Sequence, residues 1–225
     1  LCLVVMSFSV STMIGQKHNL RVLFIGNSYT FFNDLPELIA SLAEKNGKYI
    51  LFDEFTEGGQ DLLIASDQHD VRNAIKLNRY DYVIVQEQST TPLFRKQKSF
   101  FPAVRKFDSM VQASDAGLIL FLTWAREYAH KIKIRQLPET YYYQSFTDYS
   151  AAQDSLNKAY RTIANELDVS VAPVGAVWRE VLQTNHQVSL WRKDHSHPTI
   201  CGSVIGAFVF YTVLFQELPK NSEII

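Results

Sequence analysis

Residues 21–30 read Arg21-Val22-Leu23-Phe24-Ile25-Gly26-Asn27-Ser28-Tyr29-Thr30. The apolar run Val22 to Ile25 has no polar face, which is the pattern of a strand covered on both sides in a parallel sheet. It stops at Gly26, which permits a tight turn, and Ser28 follows two residues later. A serine in that place stands at the sheet edge, with backbone N–H groups nearby to receive a developing negative charge. On its own the pattern describes an ordinary turn or cap serine equally well.

Outward from this stretch, short apolar runs alternate with helical patterns. A helix capped by Asn33 or Asp34, with Pro36 in its first turn, runs to a stop at Gly47. Strands are expected over 49–55, 82–85, 118–123 and 169–172, and helices over 67–77, 103–114, 151–167, 176–182 and 200–215. This alternation predicts an α/β fold: a three-layer α/β/α sandwich around a parallel sheet of about five strands. Functional residues of such sheets gather where strand carboxyl ends meet the loops that follow. Ser28, Gly58, the run Gln86 to Ser89, and Trp124 all fall at such ends.

The 225 residues are 47% hydrophobic and 20% charged with a net charge of −1, which suits one domain with a sizeable core. The near-neutral balance offers no electrostatic footprint for nucleic acid or an anionic membrane. Residues 1–15 are apolar and small, then turn polar at Gln16 to Asn19, as in the hydrophobic part of a secretory signal peptide. The expected division is therefore a signal remnant over 1–18 and a single domain over 19–225. The protein is expected to be exported to the periplasm or exterior, and to be cytoplasmic if the leader is not a signal. The leader is too short and too rich in Ser and Thr for a membrane span, so none is expected in the mature chain. Of the two cysteines, Cys2 lies in the leader and Cys201 in the domain, leaving no disulfide once the leader is removed. Their spacing does not suggest zinc. Oligomeric state is left open.

Asp194-His195-Ser196-His197 supplies the partner for Ser28. Pro198 disfavours helix at His197, so the segment is expected to be a loop. Across three residues Asp194 can accept from Nδ1–H of His197, leaving Nε2 to take a proton from Ser28. A surface ion pair, or metal binding by His195, His197 and Asp194, are the competing readings of this segment. Gly58-Gly59 lets the backbone approach a substrate, and Gln86 and Gln88 carry amide donors. Glu87 between them is either a supporting acid or a solvated loop charge. Tyr141 to Tyr143, Trp124 and Trp191 form either a platform for a sugar ring or a buried cluster.

These blocks together resemble the SGNH (GDSL-type) hydrolase superfamily, most closely a bacterial branch with Gly-Asn-Ser-Tyr/Phe-Thr at the nucleophile. The resemblance covers nearly all of 21–215. It implies a cofactor-free, metal-free serine esterase acting on a small-molecule or glycan ester, with Ser28 as nucleophile and the acid-x-x-His block at Asp194 and His197. The expected acyl group is short, acetyl above others, with lipid esters as the alternative substrate and a non-catalytic carbohydrate-binding module as the alternative role. Ser28, Gly58 or Gly59, and Gln86 or Gln88 would donate to the oxyanion, and Asn27, Tyr29, Trp124 and Glu87 would line the substrate site. Two departures stand out: Asn27 replaces the Asp of many relatives, and the third block carries glutamines where Asn is usual.

Overall fold

The computed structural model describes residues 19–129, 133–136, 140–143, 146–185 and 187–222. The proposed leader and Cys2 lie outside the described residues. Five parallel strands form the central sheet: β1 Asn19–Gly26, β2 Tyr49–Thr56, β3 Tyr82–Val85, β4 Gly117–Phe121 and, after an intervening hairpin, β7 Ser170–Ala172. Their order is β2-β1-β3-β4-β7. The chain steps from β1 to the edge at β2, then crosses back to β3 on the other side of β1. Loops leaving β1 and β3 therefore diverge to opposite faces, which opens a crevice at the carboxyl end of β1.

Alternate residues of β1 feed two cores. Leu23 and Ile25 join the core that includes Val71, Phe107 and Leu156. Val22 and Phe24 join the one that includes Ile39, Trp178 and Phe210. Phe24 meets Phe52 and Phe210 edge-on at 6.1 and 6.2 Å. This two-sided burial is why the strand reads as unbroken apolar sequence.

The longer helices are α2 Leu35–Lys45, α4 His69–Leu77, α6 Phe101–Gln112, α7 Tyr149–Leu167, α8 Val174–Thr184 and α9 Ile200–Phe215. Three single-turn helices are interleaved: α1 Ser28–Phe31, α3 Leu62–Ala65 and α5 Thr91–Phe94. The start of α2 differs from the expected cap. Asn33 and Asp34 both have left-handed backbone, φ 56° and 52°, and the Asp34 side chain caps nothing. Asn33 Nδ2 instead donates to Pro198 O and Ser203 Oγ, at 3.1 and 2.9 Å, tying this turn to the histidine loop and α9.

An antiparallel hairpin of β5 Lys133–Gln136 and β6 Thr140–Tyr143 was not expected from the sequence. The tyrosine run lies in β6, and its side chains lie outside what is described. Among the described residues no helix is long and apolar enough to cross a membrane.

Candidate active site

Gly26 ends β1 with no space for a side chain. A Cβ there would lie 2.6 Å from Thr30 Oγ1 and 2.8 Å from Gln86 Oε1. Glycine is needed for that close approach, which lets the chain turn directly over β3. Buried Asn27 then caps α1, its Oδ1 accepting from Tyr29 N at 3.2 Å. Its Nδ2 donates to Gln60 O at 3.0 Å, fastening the serine turn to the loop after β2. Ser28 thus opens a helical turn, where N–H groups have no intrahelical acceptor.

The histidine loop is built around Asp194. Its Oδ1 accepts from Ser196 N and His197 N at 3.0 and 2.9 Å, while Oδ2 lies 2.6 Å from His197 Nδ1. His197 Nε2 lies 2.8 Å from Ser28 Oγ. Serine, histidine and carboxylate are thus joined in one hydrogen-bonded line. Partial burial opposes the charge on Asp194, but the hydrogen bonds from the His197 ring and the two N–H groups outweigh it and hold its pKa at about 2. His195 does not join this group. It takes the left-handed φ of 59° and turns its Nδ1 to Glu127 Oε2 at 2.6 Å. Among the described residues no three His, Cys, Asp or Glu side chains are placed to hold a metal ion.

Aromatic packing fixes the histidine ring. Phe32 stacks on His197 with centroids 4.2 Å apart, and the Arg192 guanidinium lies over the Phe32 ring at 5.1 Å. Tyr29 meets the ring edge-on, and its hydroxyl lies 2.7 Å from Ser196 Oγ. Phe32 and Ser196 were given no role from the sequence, and Asn33 was read only as a helix cap. Ser196, between the two histidines, and the aromatic run Tyr29 to Phe32 beside the serine were the available signals.

Gly58 and Gly59 lie in the turn after β2, held where Glu57 N donates to Gly26 O at 3.2 Å. Gly59 has φ +72°, and a Cβ at either glycine would meet only open space. The turn therefore presents bare backbone toward solvent beside the serine turn.

The two glutamines are used differently. Gln86 is fully buried, and its Oε1 accepts from Asn27 N at 2.9 Å and Thr30 Oγ1 at 3.0 Å. Its Nε2 donates to Glu87 O. Its carbonyl end supports the serine turn and its NH₂ end is spent on its own loop, which corrects its expected place as an oxyanion donor. Gln88 has Oε1 clamped by Thr90 N at 2.8 Å and Thr91 N at 3.2 Å. With its carbonyl fixed, the NH₂ end must face the other way, and its one contact is Ser89 Oγ at 3.5 Å.

Glu87, Tyr29 and Trp124 were expected beside the substrate, and burial corrects all three. Glu87 is 0% exposed, and its Oε1 accepts from Leu62 N at 2.9 Å and Gln88 N at 2.7 Å. It ties the loop after β2 to the loop after β3. Burial first, and then the nearby charge of Asp61, push its pKa up to about 8. Tyr29 is 3% exposed. Trp124 is 1% exposed, stacked between Tyr29 and Trp178, and donates Nε1–H to Ser196 O at 2.9 Å. Trp191 is buried too, its Nε1 donating to Ala125 O. These two tryptophans brace the histidine loop from below and offer no sugar platform. Asn27, also expected at the substrate, is 3% exposed and committed to the turn.

The architecture is that of the SGNH hydrolases. Solved structures similar to this chain include a Slackia heliotrinireducens protein proposed to be an SGNH hydrolase, with TM-score 0.68 at 20% identity over 87% of this chain and 99% of that one. A DUF4886 family protein from Bacteroides uniformis has TM-score 0.68 at 16% identity, covering 88% of this chain and 84% of that one. A variant of an acetyl-xylooligosaccharide esterase from a Geobacillus has TM-score 0.60 at 18% identity, covering 90% and 97%. No protein-family model matches the sequence, and no curated protein matches it. The likeness is one of fold.

Proposed function

We propose that the protein is a serine esterase that removes short acyl groups, acetyl above others, from a carbohydrate or small-molecule alcohol. One observation carries this reading: Ser28 Oγ, His197 and Asp194 are linked by two consecutive hydrogen bonds of 2.8 and 2.6 Å. Binding alone gives no reason to set a base on a serine hydroxyl. The acetyl preference is drawn from the acetyl-xylooligosaccharide esterase that shares the fold.

In this reading His197 Nε2 takes the proton of Ser28 as Oγ attacks the ester carbonyl, and Asp194 holds the ring in the tautomer that keeps Nε2 free. The N–H of Ser28, an N–H of Gly58 or Gly59, and Nε2 of Gln88 receive the oxyanion. His197 returns its proton to the leaving alcohol, which departs and leaves an acyl-serine. Water, deprotonated by the same ring, then attacks the acyl carbonyl, and the ring returns that proton to Ser28 Oγ as the acid leaves.

Hydrolysis of p-nitrophenyl acetate, butyrate and longer esters tests the reading beside Ser28→Ala and His197→Ala. Each substitution is expected to lower turnover by about 10⁴-fold or more, as for other members of such triads. Undiminished turnover in either variant would defeat the mechanism. A maximum at long acyl chains would move the substrate to lipid esters, and a folded protein inert on every ester would favour a binding role. We also propose that residues 1–18 direct export, which fractionation of cells expressing chains with and without them tests.

A further inference from the structure

Three arginines are half-buried among the described residues: Arg21, Arg126 and Arg179. Arg21 pairs with Asp53 at 3.2 Å, and Arg179 pairs with Asp154. Arg126, in the loop after β4, has no carboxylate within ion-pair distance among the described residues. Its Nη2 donates to Ser89 Oγ at 3.2 Å, and its guanidinium also interacts with the buried Tyr29 hydroxyl. Both partners are neutral. Its Nε, like those of Arg21 and Arg179, is buried with no hydrogen-bond partner. The adjacent acid, Glu127, is already engaged by His195 at 2.6 Å.

Partly withdrawing a cation from water without an anion beside it carries a cost that an incoming anion would offset. The position of this one is informative. Ser89 Oγ also lies 3.5 Å from Gln88 Nε2, so Arg126 shares a partner with a group assigned to the reaction, and its charge acts on the hydroxyl of Tyr29, the residue after Ser28. A guanidinium carries one charge and a planar fork of donors, which matches a carboxylate in both charge and shape.

We propose that Arg126 is a specificity residue that receives a carboxylate of the substrate, so that the preferred substrates are anionic esters. The carboxylate belongs either to the acyl group, as in a hemisuccinate, or to the alcohol, as in an acetylated acidic sugar. The proposal rests on the esterase reading for its chemistry, but the carboxylate site can be tested without turnover.

Two anionic esters separate the sources: 4-nitrophenyl hemisuccinate, with the carboxylate on the acyl side, and 4-acetoxybenzoate, with it on the alcohol side. Each is compared with a neutral counterpart, 4-nitrophenyl acetate or phenyl acetate. The wild type is expected to favour one anionic ester over its counterpart. Arg126→Gln is expected to reduce that ratio of kcat/KM about tenfold or more, mainly through KM, while Arg126→Lys keeps part of it. Added salt should narrow the wild-type preference. Equal losses on anionic and neutral esters, or no wild-type preference for either anionic ester, overturn the proposal. The non-hydrolysable amides of the two anionic esters give a binding readout by calorimetry. Binding weakened in Arg126→Gln supports the carboxylate site even if no ester is turned over, in which case only the esterase reading fails. Binding undiminished in that variant sinks the proposal.

Discussion

The Gln86 amide uses its carbonyl oxygen to hold Asn27 N and Thr30 Oγ1, while Gln88 uses its own to hold Thr90 N and Thr91 N. Their truncations should therefore fail differently. Gln88→Ala is expected to lower kcat by about 10²–10³, the usual loss of one oxyanion donor, with a smaller fall in melting temperature than Gln86→Ala, because the Thr90 N–H it releases is part-buried and Thr91 N keeps Gln88 O. Gln86→Ala strands the buried Asn27 N–H, an omission worth about 1–3 kcal/mol, and should lower the melting temperature as well as turnover. Parallel thermal melts and ester assays check both; equal melting temperatures would overturn the division of labour. That Ser28, His197 and Asp194 come together was legible because the strand-Gly-x-Ser turn and the Asp-x-x-His-Pro block each mark a loop in the sequence. The division between the glutamines was not, because two amides on one loop look alike until their carbonyl partners are known. Trp124 misled for a related reason: a strand-end position says where a residue sits, not which way its ring turns.

Elements show the same boundary between what a linear pattern can carry and what it cannot. The strands were readable because burial on two faces demands unbroken apolar runs, and β3 falls where the pattern placed it, at Tyr82–Val85. The single-turn helices α1, α3 and α5 span four residues each, too few to display a helical period. Among strands, β5 reads Lys133-Ile134-Arg135-Gln136, without the apolar run that marked the central sheet. The entry to α2 is set by tertiary contact: Asn33 reaches Pro198 O and Ser203 Oγ instead of capping its own helix. Asn33→Ala is expected to destabilise the fold by about 1–2 kcal/mol, measured by urea unfolding. Because the lost bonds anchor the histidine loop, turnover should fall too; unchanged stability and turnover would refute that anchoring. Phe24→Ala, which empties the packing between Phe52 and Phe210, should cost more, about 3–5 kcal/mol.

Across the whole molecule, two carboxyls set opposite responses to pH. Asp194 titrates near 2 in the fold, below its ordinary 3.8, so its contribution is present above 3.8 and disappears as pH falls toward 2. Glu87 titrates near 8, above its ordinary 4.5, so the folded state holds a proton that the unfolded chain has released. Its contribution is full below 4.5 and is lost as pH rises through about 8. Wild-type stability should therefore decline between these values, and Glu87→Gln, which keeps an acceptor for Leu62 N and Gln88 N, should flatten the decline. Urea midpoints from pH 5 to 9 check this, and parallel curves for the two proteins would contradict it. The parallel sheet has a further consequence, for the order in which the molecule is made. Ser28 and His197 lie 169 residues apart along the chain, one behind the first strand and the other ahead of the last helix. During synthesis the hydroxyl emerges early and waits for its base until almost the entire domain has left the ribosome. A chain that stops short of residue 197 therefore holds Ser28 without its histidine partner, and the hydrogen-bonded pair is itself a report that translation has passed His197.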